Sequence, residues 1–338
     1  MRWVGERNWM IHTQAAASQR SVPVFTIRPA TEADASAVAD LINRDYPEPA
    51  TVAQVRERIR GSSGSREVTR LVATSDAGAV IGYGHMLRDD WMEPGLFWGH
   101  VVVDPEVRRQ GVGSLLHGEV MAWARERGGA TFRGEARESM PEGLPFAARH
   151  GYQIDRHIFE SVLDLATFDE RQFVSALDAV RAAGVRFFSL ADLGDTLDAR
   201  RRLYEVERVI ARDIPGGSES ATRPFEIFLR EVCDPAHYRP ETQLVAADGD
   251  TWIGLAGVLD YPANRSMYNG ITGVLPAYRG RGIATALKVL AIRAARARDA
   301  AMIRTNNDSQ NAPMLAINRA LGYQPEPGYY RMLRRSGV

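Results

Sequence analysis

One pattern occurs twice in this chain and limits what it can fold into. The run VVVDPEVRRQGVG ends at Gly113, and TGVLPAYRGRGIA ends at Ala284. Both reduce to V-x-P-x-x-R-x-x-G-x-[GA]. Each is followed by Gly-Tyr at one distance, because Gly151 lies 40 residues after Gly111 and Gly322 lies 40 after Gly282. A shared local pattern with a shared long spacing means two copies of one unit. A chain of 338 residues is long enough for each copy to bury a core of its own.

The repeated segment has the physics of an anion site. A β-branched run, Val101 to Val103 or Ile271 to Val274, predicts a buried strand, and the proline after it ends strand pairing for want of an N–H. Basic and glycine-rich residues then open a helix. Its apolar positions are Val112, Leu115, Leu116 and Val120 in the first copy, and Ile283, Leu287, Leu290 and Ala294 in the second. A helix start of this kind offers unpaired N–H groups and the positive end of the dipole. Glycines let a ligand approach the backbone, while Arg108 and Arg279 add charge or brace the loop. No G-K-[ST] follows, which excludes the common nucleoside-triphosphate loop. Leu116 and Leu287 stand where G-x-G-x-x-G needs its last glycine, so a dinucleotide fingerprint is unsupported.

R-x-x-G-x-[GA] after a strand with V-x-P resembles the pyrophosphate loop of the GNAT superfamily of acyl-CoA-dependent N-acyltransferases. The resemblance runs from about Phe25 onward. It implies an α+β protein of two tandem GNAT folds, each a mixed, mainly antiparallel sheet flanked by helices. It implies acetyl-CoA, or another acyl-CoA, as co-substrate, and no metal. The donor-binding residues would be Val102, Val103, Arg108, Arg109, Gln110, Gly111, Val112 and Gly113 in the first copy. In the second they would be Gly273, Val274, Arg279, Gly280, Arg281, Gly282, Ile283 and Ala284, with Asn311 at the position of the asparagine in the family's N-x-x-A-x-x-L-Y block. A backbone N–H of Val102 or Val103, and of Gly273 or Val274, would polarise the thioester carbonyl.

For a base in the second copy the candidates are Asp213, Asp260, or a water held by Thr272 and Asn269. Asp260 before Tyr261-Pro262 also reads as a turn residue, and Asp213 as a loop cap. In the first copy His100 lies on the motif strand. The family's acid, a tyrosine four residues before the final Gly-aromatic pair, is replaced by Ala147 and Asn318. An asparagine can hydrogen-bond a sulfur but cannot protonate it. Tyr323, Tyr329 and Tyr330 are substitutes to be weighed against core roles. Because Asn311 has no counterpart in MPEGLPFAARHGY, the C-terminal copy is expected to be catalytic and the N-terminal copy degenerate.

The layout read from these signals is a flexible extension at 1–23, an N-terminal GNAT domain at 24–165, a connecting helix at 166–184 and a C-terminal GNAT domain at 185–338. Forty-two basic residues balance 42 acidic ones, so no overall field attracts nucleic acid or an anionic membrane. One cysteine, Cys233, excludes an internal disulfide and fits a reducing, cytoplasmic setting. No apolar run approaches the ~18 residues of a membrane helix. The expected activity is acetylation of a primary amine on a small molecule by a monomer or homodimer. Alternatives are acetylation of a protein lysine or N-terminus, and a non-catalytic acyl-CoA-binding module.

Overall fold

The computed structural model describes residues 25–44, 50–61, 66–216 and 221–336. The expected extension at 1–23 and parts of the loops after Asn43 and Gly61 lie outside the described residues.

The first copy runs β1 (Phe25–Pro29), α1 (Ala35–Asn43), α2 (Val52–Arg60), β2 (Glu67–Ser75), β3 (Val80–Arg88), β4 (Leu96–Val103), α3 (Val112–Arg125), β5 (Thr131–Arg137), α4 (Gly143–Arg149) and β6 (Gln153–Asp164). A connecting helix, α5 (Val174–Ala182), leads into the second. This runs β7 (Val185–Ser189), α6 (Leu197–Ala211), α7 (Phe225–Phe228), β8 (Gln243–Asp248), β9 (Thr251–Tyr261) and β10 (Ser266–Val274). It ends with α8 (Ile283–Ala297), β11 (Met302–Asp308), α9 (Ala312–Ala320) and β12 (Gln324–Arg335). Local chemistry sets the ends. Thr51 and Thr196 cap α2 and α6 by accepting from Gln54 N and Ala199 N, and Gly184, at φ 90°, closes the turn after α5.

All strands join one twelve-stranded sheet, ordered β1-β2-β3-β4-β5-β12-β6-β11-β10-β9-β8-β7. Pairing is antiparallel except for β4 with β5 and β10 with β11. The last strands are exchanged: β12 completes the first copy by pairing with β5, and β6 completes the second by pairing with β11. The two exchanged strands also pair with each other at the centre of the sheet. The hydrogen bonds therefore do not divide the sheet at residue 165.

Side chains alternate between the two faces. Val102 packs with α1 and α2 through Ala35, Val38 and Val55, whereas Val101 and Val103 pack toward Val112 and Leu116 of α3. In the second copy Leu255 and Ile271 meet Ile210 and Leu203 of α6, and Val274 and Ala256 meet Ile283 and Leu287 of α8. Helices thus cover both faces, and each fully buried Leu, Ile or Phe contributes about 1.5–3 kcal/mol. Cys233 is buried in the α6 core, where burial pushes its thiol up to about 12, as suits a packing residue. Among the described residues no helix is long and apolar enough to cross a membrane.

Candidate active site

In both copies the parallel strands separate beyond a short pairing, and a cleft opens where they part. The second measures about 380 Å³ and the first about 410 Å³. The loops at their mouths are superimposable in description. Gly111 and Gly282 sit at φ 94° and 78° as the residues before α3 and α8, a left-handed conformation that glycine adopts freely. Among the described residues no side chain caps either helix, so the first-turn N–H groups are left to a ligand. Arg109, at φ 67°, occupies the left-handed position that Gly280 fills in the second copy.

The role of the repeated arginine is bracing. Arg108 donates from Nε to the Val103 carbonyl and Arg279 from Nε to the Val274 carbonyl, both at 3.1 Å. Arg279 also donates to Asp213 at 2.7 Å. Asp213, a candidate base, lines the cleft, and its carboxylate is paired with Arg279 of the loop.

Of the second-copy residues named above, Asp213, Thr272, Gly273, Val274, Arg279, Gly280, Gly282, Ile283, Ala284 and Asn311 line the cleft. Arg281 does not, because it lies over the Tyr278 ring and donates to the Ala277 carbonyl. In the first copy Val102, Val103, Arg108, Arg109, Gly111 and Gly113 line the cleft, while Gln110 is exposed and Val112 is buried under α3. Strand alternation chooses between the paired N–H candidates. Leu275 N donates to Ile253 on β9 and Asp104 N donates to Ile81 on β3. Gly273 and Val102, two residues earlier, face the same way, so Val274 and Val103 turn their N–H groups to the open slot.

Three expectations are corrected. Asp260 pairs with Met267 at the far end of β10, about 20 Å of strand from Gly273. There it is buried and accepts from Arg298 at 2.7 Å, a structural ion pair. Asn318 is also buried, and its Nδ2 donates to Asn307 Oδ1 at 2.6 Å, so it lines the sheet beneath α9 and not the cleft. His100 faces His85 across β3 and β4 and does not line the first cleft, and burial followed by the nearby Arg137 holds its imidazole down at about 4. Tyr323 is a core residue whose phenol is raised by burial. Tyr329 and Tyr330 lie on β12 between the two copies.

Sequence reasoning missed the apolar walls of the second cleft, Ile210, Met314 and Ile317, and in the first Phe146 with Arg149. It also missed the lysine in a buried polar cluster under the second cleft, where Thr272 and Asn269 bond directly to each other. Lys288 donates to Asn269 Oδ1 at 2.9 Å, and so does the Thr272 hydroxyl. The signal was present: Lys288 lies four residues after Ala284 and three before Ala291, on an apolar helix face.

A doubled strand, glycine loop and uncapped helix on exchanged, mainly antiparallel sheets define a tandem acyltransferase of the GNAT type. The family model for the acetyltransferase (GNAT) family matches residues 35–152 and again 200–323, and the chain belongs to that family and is an acyltransferase. A mycothiol acetyltransferase from Nocardioides sp. is 25% identical over 235 residues, 66% of this chain and 75% of the relative. Among solved structures, a GCN5-related N-acetyltransferase from Sphaerobacter thermophilus has a TM-score of 0.68 at 21% identity, covering 95% of this chain and 98% of that one. A tandem GNAT protein from the clavulanic acid biosynthesis pathway has a TM-score of 0.69 at 20% identity, covering 93% and 99%. These two share its fold.

Proposed function

We propose that the C-terminal cleft transfers an acetyl group from acetyl-CoA to a primary amine of a small molecule, directly and without a covalent enzyme intermediate. The observation that carries this reading is an asymmetry between two clefts of one fold. Both have the braced loop and uncapped helix, but only the second has Asn311 and a threonine, Thr272, among its lining residues. The small-molecule acceptor is supported by the modest volume of the cleft and by the relative named for mycothiol acetylation.

Bound acetyl-CoA would supply the acetyl group as a thioester. The N–H groups from Gly282 to Ala284 would hold its pyrophosphate, helped by the positive end of α8. Arg279 keeps that loop in place through the Val274 carbonyl and Asp213. The Val274 N–H is aimed to polarise a carbonyl in the slot. There the amine would add in its neutral form, the proton shed by the nitrogen would pass to solvent water, the C–N bond would form as the C–S bond breaks, and the thiolate would leave. With a free-thiol pKa of about 8.5 it leaves tolerably near neutral pH without an acid from position 318. The first cleft repeats the loop and is proposed to bind donor without turnover.

Calorimetric titration of acetyl-CoA into the wild type, Gly111→Val and Gly282→Val, with thiol release followed over a panel of small amines, tests the assignment. Turnover should vanish with Gly282→Val and survive Gly111→Val. Turnover lost only with Gly111→Val would reverse it.

A further inference from the structure

Lys288 is the chain's one lysine, against 41 arginines, and it is buried to 1% exposure. Its surroundings sit at the point where β10 and β11 part. The parallel pairing ends at Tyr268 and Arg304. At the next step Thr305 on β11 donates its hydroxyl to the Asn269 carbonyl at 2.9 Å. There the β9–β10 ladder shifts register between Asn269 and Ile271, so Gly270 is an extra residue.

The Asn269 side chain holds this irregular point with all four of its hydrogen bonds. Its Nδ2 donates to the carbonyls of Gly257 and Ile271 at 3.1 and 2.9 Å. Its Oδ1 accepts from Thr272 and Lys288, each at 2.9 Å. The two carbonyls only accept and a protonated lysine only donates, so together they fix the amide with its oxygen toward Lys288 and Thr272. The Thr272 proton is thereby committed to Asn269, and the hydroxyl oxygen of this cleft-lining residue has only lone pairs to offer.

The first copy lacks the device. Its fork head is Gly99 and Gly134, its β3–β4 ladder keeps register, and the counterpart of Lys288 is His117, which bonds the Tyr152 hydroxyl at 3.3 Å.

We propose that Lys288 is a positioning residue for acetyl transfer: through Asn269 it fixes the bulge at the fork and presents the Thr272 oxygen as a hydrogen-bond acceptor for the attacking amine's N–H. The proposal rests on the C-terminal cleft being the active one. Lys288 faces Asn269 on β10 and, 4.9 Å away, the Tyr323 ring. Burial alone drives its pKa down to about 7, with no carboxylate involved, and the Tyr323 phenol stays neutral. As the lysine loses its proton its hydrogen bond to Asn269 Oδ1 weakens from charge-assisted to neutral, while the Gly257 and Ile271 carbonyls keep the amide the same way round.

A single lysine makes the test direct, since lysine labelled with carbon-13 at Cε yields one side-chain resonance in the full-length protein. We expect it to titrate near pH 7 and to shift when acetyl-CoA saturates the protein, by a smaller amount in Thr272→Val. Lys288→Met should lose at least tenfold in kcat, keep its acetyl-CoA dissociation constant within about twofold, and lose the fall in kcat on the alkaline side of pH 7. Acetyl-CoA that binds while the resonance stays still, or a full kcat in Lys288→Met, overturns the positioning role and leaves the cleft assignment standing. A wild type that binds no acetyl-CoA overturns both.

Discussion

Replacing Lys288 by methionine should remove a pH dependence of folding stability. In the unfolded chain this amine titrates near its ordinary value of 10.5, and in the folded protein burial lowers it to about 7. Between those values the unfolded state binds a proton that the folded state does not, so stability rises with pH there. Below about 7 both states are charged and above about 10.5 both are neutral, so the slope is confined to that window. Its size is about 1.4 kcal/mol per pH unit, or about 4 kcal/mol from pH 7 to pH 10. Methionine carries no proton to exchange. The hydrogen bond lost from Asn269 adds an offset of about 1–3 kcal/mol that is nearly constant with pH. Guanidinium unfolding of both proteins at four pH values from 6.5 to 9.5 measures the difference directly, since every other titrating group is common to both. A difference that stays flat across the window would show that Lys288 keeps its proton when folded.

Gly282→Val places a β-branched residue at φ 78°, which costs about 1–2 kcal/mol of backbone strain, and should weaken acetyl-CoA binding at least tenfold by calorimetry. Asp213→Ala removes the 2.7 Å partner of Arg279, and it should loosen donor binding by a few-fold instead of abolishing turnover, as a steady-state comparison of KM and kcat would reveal. Asp260→Asn should cost about 1–3 kcal/mol in a denaturant melt and leave acetyl-CoA affinity unchanged, because it loses the charge paired with Arg298 far from the cleft. Residues 1–165 and 185–338 expressed separately should each be poorly soluble, since β5 loses β12 and β11 loses β6, and co-expression should restore a soluble complex on size-exclusion chromatography.

Much of the fold and the glycine loop before each uncapped helix was legible in the amino-acid sequence. The twin motif, the proline after each strand and the glycines at 111 and 282 depend on interactions within a few residues, so their pattern survives in one dimension. The repeat spacing similarly revealed two units of one fold. Which N–H faces the slot needed the ladder register, because adjacent residues on a strand point opposite ways and the reading left Val102 beside Val103 and Gly273 beside Val274. Asp260 was a candidate by its acid and Asn318 by its distance from Gly322, yet their partners Arg298 and Asn307 come from other elements and draw both into the interior. The strand exchange was invisible for a similar reason. β6 and β12 carry the same kind of pattern, and only the packed sheet decides that each hydrogen-bonds to the fifth strand of the other copy. Lys288 combines the two levels: its sequence shows a lone lysine on an apolar face, while tertiary packing alone brings Asn269, Thr272 and Thr305 together at the fork and turns that oddity into part of a site.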